Sequence, residues 1–158
     1  MIVCNTSPIF YLHKIGLLNL PEKLFGEVFI PQAVVSELDE GKRLGYGAPD
    51  VREFNWLKVR AVEVPSEIRD IGIGDGETEA IALALKNEVK FLLLDDGEAR
   101  RAALEGKLPV VGTVGVLIMS VRQGFLPKLK PSLEALSSSG FRISQQIQDK
   151  ALESVGEK

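Results

Sequence analysis

The chemistry this sequence can offer lies in its carboxylates: Glu37 in "PQAVVSELDE", Asp75, Glu77 and Glu79 in "GDGETEAIALAL", and Asp95 and Asp96 directly after "FLLL". Glu37 lies about two turns into a helix that follows a strand; the others fall where helices begin or strands end, and parallel α/β sheets form their sites outside the carboxyl ends of the strands. Each has a plainer reading. Asp75 can cap a helix, and Glu77 is a favourable first-turn anion. Glu37 can be a solvated helix residue, and Asp95-Asp96 can cap the helix that opens at Gly97. Glu79 is harder to dismiss. Residues 80–85, "AIALAL", are apolar all round and mark a buried helix, and Ala82 and Leu83 give the carboxylate no local partner. A partly buried acid in that position calls for a cation or a metal nearby. Adjacent carboxylates at the end of a buried strand likewise repel unless a cation screens them. Carboxylates without a histidine among them make a hard oxygen site, suited to Mg²⁺ or Mn²⁺ and poor for zinc.

Short apolar runs alternate with helical patterns and set these acids in place. Strands are expected at Ile2–Cys4, Glu27–Ile30, Leu57–Val62, Phe91–Leu94 and Val110–Val111. Helices are expected at Pro8–Ile15, Leu17–Phe25, Pro31–Glu40, Ala48–Phe54, Glu77–Glu88, Gly97–Glu105 and Thr113–Gln123. Pro8 and Pro31 suit a first helical turn, where a missing N–H costs little, and Ser7 can cap the helix that follows it. Such alternation predicts an α/β domain with a mainly parallel sheet. "GKRLGYGAP", residues 41–49, reads as a mobile loop. The segment 137–158 reads as a helical tail, with a chain break at Ser137–Gly140 and a modest apolar stripe through Ile143, Ile147, Ala151, Leu152 and Val155. A single domain over residues 1–158 is the simplest organisation.

Composition narrows the class further. The 158 residues are 45% hydrophobic and 26% charged, an ordinary globular balance, and the net charge of −3 argues against an indiscriminate polyanion binder. The single cysteine, Cys4, excludes an intramolecular disulfide and a multi-cysteine zinc site, and reads as a buried inert thiol. The single histidine, His13, supports no Ser-His or Cys-His nucleophile system and reads as a helix-surface or packing residue. No run approaches the roughly 20 apolar residues of a membrane span, and no signal peptide is legible. A soluble cytoplasmic protein is expected.

Taken in order, "TSP" after a hydrophobic strand, "FGEVFIPQAVVSEL", "GDGETEAIALAL", "FLLLDDGEARRAA", "VVGTVGVL" and "GFRIS" resemble the PIN-domain family. The likeness is strongest to short prokaryotic PIN proteins left as a domain of unknown function, and it runs through nearly the whole chain. It implies a three-layer α/β/α sandwich and a Mg²⁺- or Mn²⁺-dependent nuclease that hydrolyses RNA. It also implies a role as the toxin of a toxin–antitoxin pair, with a small antitoxin protein and a homodimer as the expected associations. The family's acidic positions fall on Asn5, Glu37, Glu79 and Asp96, with Glu77 and Asp95 as accompanying ligands and Thr6 following the first position. Lys42, Arg43, Arg100 and Arg101 are the candidate phosphate contacts, each equally readable as a solvated surface cation.

Asn5 is the departure, because the resemblance implies an aspartate there. An amide still offers a carbonyl oxygen to a metal, but it removes one charge, and weakened metal binding and activity are expected. The alternative is a catalytically silent PIN fold that binds RNA or protein. Two other classes fail on the residues. A receiver-like reading of "FLLLDDGEAR" lacks a phosphoacceptor, since the next aspartate after Asp96 is Asp149 in the tail. An aspartate-nucleophile phosphatase lacks its D-x-D, since that place reads Asn5-Thr6-Ser7. "GIGDGE" has no Walker lysine and no dinucleotide-binding context.

Overall fold

Strands that are apolar on both faces need helices on both sides, and the structure supplies them. The computed structural model describes residues 1–95 and 97–158. Within them β1 (Ile2–Cys4), β2 (Val28–Ile30), β3 (Leu57–Val59), β4 (Phe91–Leu93) and β5 (Val110–Val111) form one sheet in the order β3-β2-β1-β4-β5. Every pairing is parallel, with Val3 opposite Phe29 on one side and Leu92 on the other.

Side-chain alternation sorts the core into two layers. Ile2, Cys4, Val28, Ile30 and Leu93 face α1 (Thr6–Lys14), α2 (Leu20–Phe25), α3 (Gln32–Arg43), α7 (Thr113–Arg122), α8 (Lys130–Ser138) and α9 (Gln145–Ser154). Val3, Leu92 and Leu94 face α4 (Ser66–Arg69), α5 (Asp75–Leu85) and α6 (Gly97–Glu105). The result is the expected α/β/α sandwich. The apolar run after Glu79 behaves as read from sequence: Ala80 through Ala84 are all buried, packed against the sheet.

Several boundaries differ for identifiable reasons. The glycine-rich stretch 41–49 is helical through Arg43, where α3 is extended by an ion pair from Glu40 to Arg43, one turn on. The expected helix 48–54 is a single 3₁₀ turn at Val51–Glu53, because the Asp50 side chain takes the N–H of Arg52 and Phe54 returns to extended backbone. Ser7 does not cap α1. Asn5 holds that position, and the Ser7 hydroxyl points instead to Asp95. Asp75 likewise falls inside α5, which begins after Gly74. Two helices, α4 and α8, are additional to those expected. The buried residues Leu129, Leu133 and Leu136 give α8 the i, i+4, i+7 spacing of a core-facing helix.

The topology decides where a site can form. From β1 the chain runs to β2 and β3 on one side, then crosses to β4 on the other. The carboxyl ends of β1 and β4 therefore bound a topological switch point, the crevice in which open α/β sheets bind ligands. Asn5 and Asp95 stand at those two ends, joined through the Asn5 N–H, which donates to the Leu93 carbonyl at 3.0 Å.

Candidate functional site

At the switch point lies an open cleft of about 750 Å³. Asn5, Thr6, Ser7, Phe10 and Tyr11 line it from α1 and its approach, Glu37 from α3, Glu77 from α5, Asp95 from the end of β4, Gly97 from the start of α6, and Gly140, Phe141 and Arg142 from the segment before α9. Asn5 is 4% exposed, and its side-chain carbonyl oxygen Oδ1 is buried without a hydrogen-bond partner among the described residues. Leaving such an oxygen unpaired costs about 1–3 kcal/mol.

The acids around it are held by donors rather than left loose. The Thr6 hydroxyl donates to Glu37 Oε1, and the Gly76 N–H donates to Oε2 at 3.0 Å. Asp95 accepts three hydrogen bonds: from the Ser7 hydroxyl at 2.9 Å, from the Thr113 N–H at 2.7 Å and from the Thr113 hydroxyl at 2.5 Å. Asp95 thus caps the start of α7 and ties β4 to the starts of α1 and α7. The Ala33 N–H donates to Glu79 Oε1 at 3.1 Å. The partner of that half-buried acid is therefore the N-terminus of α3, a site of positive dipole charge. Glu79 lines a neighbouring cleft of about 550 Å³ with Gln32, Ser36, Tyr46 and Asp75, and Glu37 belongs to both.

Glycines make room for two of these acids. A Cβ on Gly76 would overlap the Glu37 carboxylate, and one on Gly74 would lie 2.6 Å from Glu77 Oε1. "GDGE" is thus not a phosphate loop but a close backbone approach to carboxylates. Of the candidate cations, Arg100 lies beside Asp95 in an adjoining groove with Gly112. Arg43 is engaged with Glu40 on the surface, and Lys42 and Arg101 are exposed and line neither cleft. Asp96 lies outside the described residues. Cys4 is buried, and burial pushes its thiol well above the usual range. His13 Nδ1 meets the Gly47 carbonyl at 3.0 Å on the helix surface.

The donor set is chemically suited to a hard divalent ion: amide and carboxylate oxygens, with the buried Asn5 carbonyl oxygen unpaired among the described residues. Among the described residues no three acidic, histidine or cysteine side chains come together closely enough to hold a metal ion. A family model described as a PIN domain matches residues 1–157. The chain belongs to the PIN-domain family. PIN domains have a nuclease-type fold and generally use divalent metals. Neither the curated proteins nor the solved structures compared with this PIN domain give a match. Among the described residues, no helix is long and apolar enough to cross a membrane.

Ser7, Gly76, Thr113 and Arg142 all border the site or hold its acids, and none stands out as chemistry in the sequence. The signals that could have found them are positional. Thr113 opens a helix directly after a strand, and Gly74 and Gly76 alternate with acids at a helix start.

Proposed function

We propose that this PIN domain is a Mg²⁺- or Mn²⁺-dependent ribonuclease that hydrolyses RNA phosphodiester bonds, with activity reduced by Asn5. The observation that carries this reading is the buried Asn5 Oδ1, without a partner among the described residues, in an acid-lined cleft at the sheet's switch point. Asn5, Glu37, Glu79 and Asp96 are the proposed catalytic set, with Glu77 and Asp95 as accompanying metal ligands. When bound, a divalent ion supplies charge stabilisation at the scissile phosphate and a more acidic water. Thr6 and the Gly76 N–H fix the rotamer of Glu37, so that its carboxylate is preorganised towards the cleft. Glu79 braces the start of α3, which carries Glu37, from one turn away. One carboxylate of the set orients or deprotonates the attacking water. Of the four candidate cations, the phosphate contact is assigned to Arg100, because it lies beside Asp95 in the adjoining groove.

By the same reading the protein is a cytoplasmic toxin that pairs with a small antitoxin and forms a homodimer. A small DNA-binding-type protein encoded immediately upstream would support that role.

A specific observation favours a second reading, a catalytically silent PIN fold that binds RNA or protein. The carboxylates of Glu37 and Asp95 are already engaged by neighbouring donors, and Asn5 lacks the charge. Calorimetric titration with Mn²⁺ separates the two. Saturable binding that is lost in Asp96→Ala is expected of the nuclease. No saturable binding, in either the protein or Asn5→Asp, leaves the silent binder.

A further inference from the structure

One wall of the acidic cleft is chemically unlike the rest. Phe10, Tyr11, Phe141 and Arg142 line it together with Glu37 and Glu77, and Arg142 is the one cation among the described residues that line the cleft. Tyr11 sits edge-to-face with Phe10 and with Phe141, each at a centroid separation of 5.0 Å. The aromatic side chains are half-buried, whereas Arg142 is exposed and enters no salt bridge among the described residues. This wall spans two distant parts of the chain. Phe10 and Tyr11 belong to α1, while Phe141 and Arg142 belong to the extended segment between Gly140, which takes a left-handed φ of 99°, and the capped start of α9 at Ser144.

Resting on the ribonuclease reading above, we propose that Phe141 and Arg142 form the subsite that positions single-stranded RNA in this cleft. Arg142 takes a phosphate, and Phe141, backed by Tyr11, takes an adjacent unstacked base. A polyanion entering a cleft with an acidic floor is repelled unless a cation meets it at the wall, and Arg142 is placed to do so. Base stacking on aromatic rings beside an arginine is the general mode by which unpaired nucleotides are held. The bland role for Phe141, packing the C-terminal segment against Tyr11, needs an apolar side chain there but not an aromatic one, and it requires nothing of Arg142. Both are positioning residues: they place the chain over the acids and take no part in the bond cleavage.

The test is fluorescence anisotropy with a short labelled single-stranded RNA of mixed sequence in EDTA, so that affinity is read without cleavage. Arg142→Ala is expected to weaken binding about tenfold and to lower the salt slope by about 0.7, the value for one phosphate contact on a single strand. Arg142→Lys is expected to restore the slope. Phe141→Leu, which keeps apolar volume against Tyr11, is expected to weaken binding at least about fivefold with an unchanged melting temperature. Lys90→Ala, at the amino ends of the strands and away from the cleft, is the control and should bind as the parent does. If Arg142→Ala and Phe141→Leu bind as tightly as a parent that binds RNA, the subsite is refuted while the ribonuclease reading stands. If the parent neither binds nor cleaves RNA, that reading fails and the subsite fails with it.

Discussion

Asn5 shows how a residue can read as an ordinary turn former and still occupy the decisive corner of a site. Its backbone N–H bridges β1 to β4, and among the described residues its buried Oδ1 has no hydrogen-bond partner in a cleft lined by carboxylates. The neighbouring acids depend on equally local details. Gly76 leaves the Glu37 carboxylate its place, since a methyl group there would collide with it. The colliding atoms are the far end of a flexible side chain, so Gly76→Ala should cost little stability in chemical denaturation but swing Glu37 away from Thr6. A crystal structure of the variant with Glu37 unmoved would contradict the close approach. Cys4 offers a second check at this scale. Its thiol is buried and held in its neutral form, so a disulfide-exchange reagent at mildly alkaline pH should react only as fast as the protein unfolds. Reaction at the rate of a free thiol would place Cys4 at the surface.

Between elements, the same carboxylates act as fasteners. Asp95 links the end of β4 to α1 and α7, and removing it leaves the Ser7 hydroxyl and both Thr113 donors without their acceptor. Asp95→Ala should cost about 2–4 kcal/mol, whereas Thr113→Val, which loses only the hydroxyl bond, should cost about 1 kcal/mol. Equal costs for the two would argue against the three-way junction. On the surface, Arg52 pairs with Asp39 of α3 and with Asp50, and hydrogen bonds from its guanidinium and backbone N–H hold both carboxyls below the usual carboxylate range. A lowered folded-state pKa gives stability that is present above the ordinary carboxylate value and lost as pH falls through the folded-state value. Arg52→Ala should move the Asp39 titration towards its ordinary value by NMR but the Asp50 titration only in part, because residue 52 keeps the backbone N–H that holds Asp50. Stability at neutral pH should change little, because the groups are solvated. Secondary structure was legible where an unbroken apolar run had the length of one element, as in α5 and β1. It was misread where a local side-chain bond decided the outcome, as at Asp50. The partner of Glu79 could not be read, because Ala33 is 46 residues away and offers only a backbone N–H.

For the whole molecule, the order of short apolar strands and acid-headed helices was enough to read the sandwich and the PIN-domain resemblance. Which acids share a cleft was not, because that depends on the crossover from β3 to β4 and on the return of Gly140–Arg142 to the mouth of the site. The central claim is that this cleft works as a metal-dependent ribonuclease limited by one missing charge. A charge contact at about 4 Å is worth about 4 kcal/mol gross at an effective dielectric near 20. A tenfold rate change needs only about 1.4 kcal/mol to survive desolvation. The most direct measurement is therefore Mn²⁺-dependent cleavage of single-stranded RNA by the protein and by Asn5→Asp, with Asp96→Ala as the blank. Slow cleavage by the protein, at least about tenfold faster cleavage by Asn5→Asp and none by Asp96→Ala is the predicted result. Equal rates for the first two, or no cleavage by any of them, would contradict it.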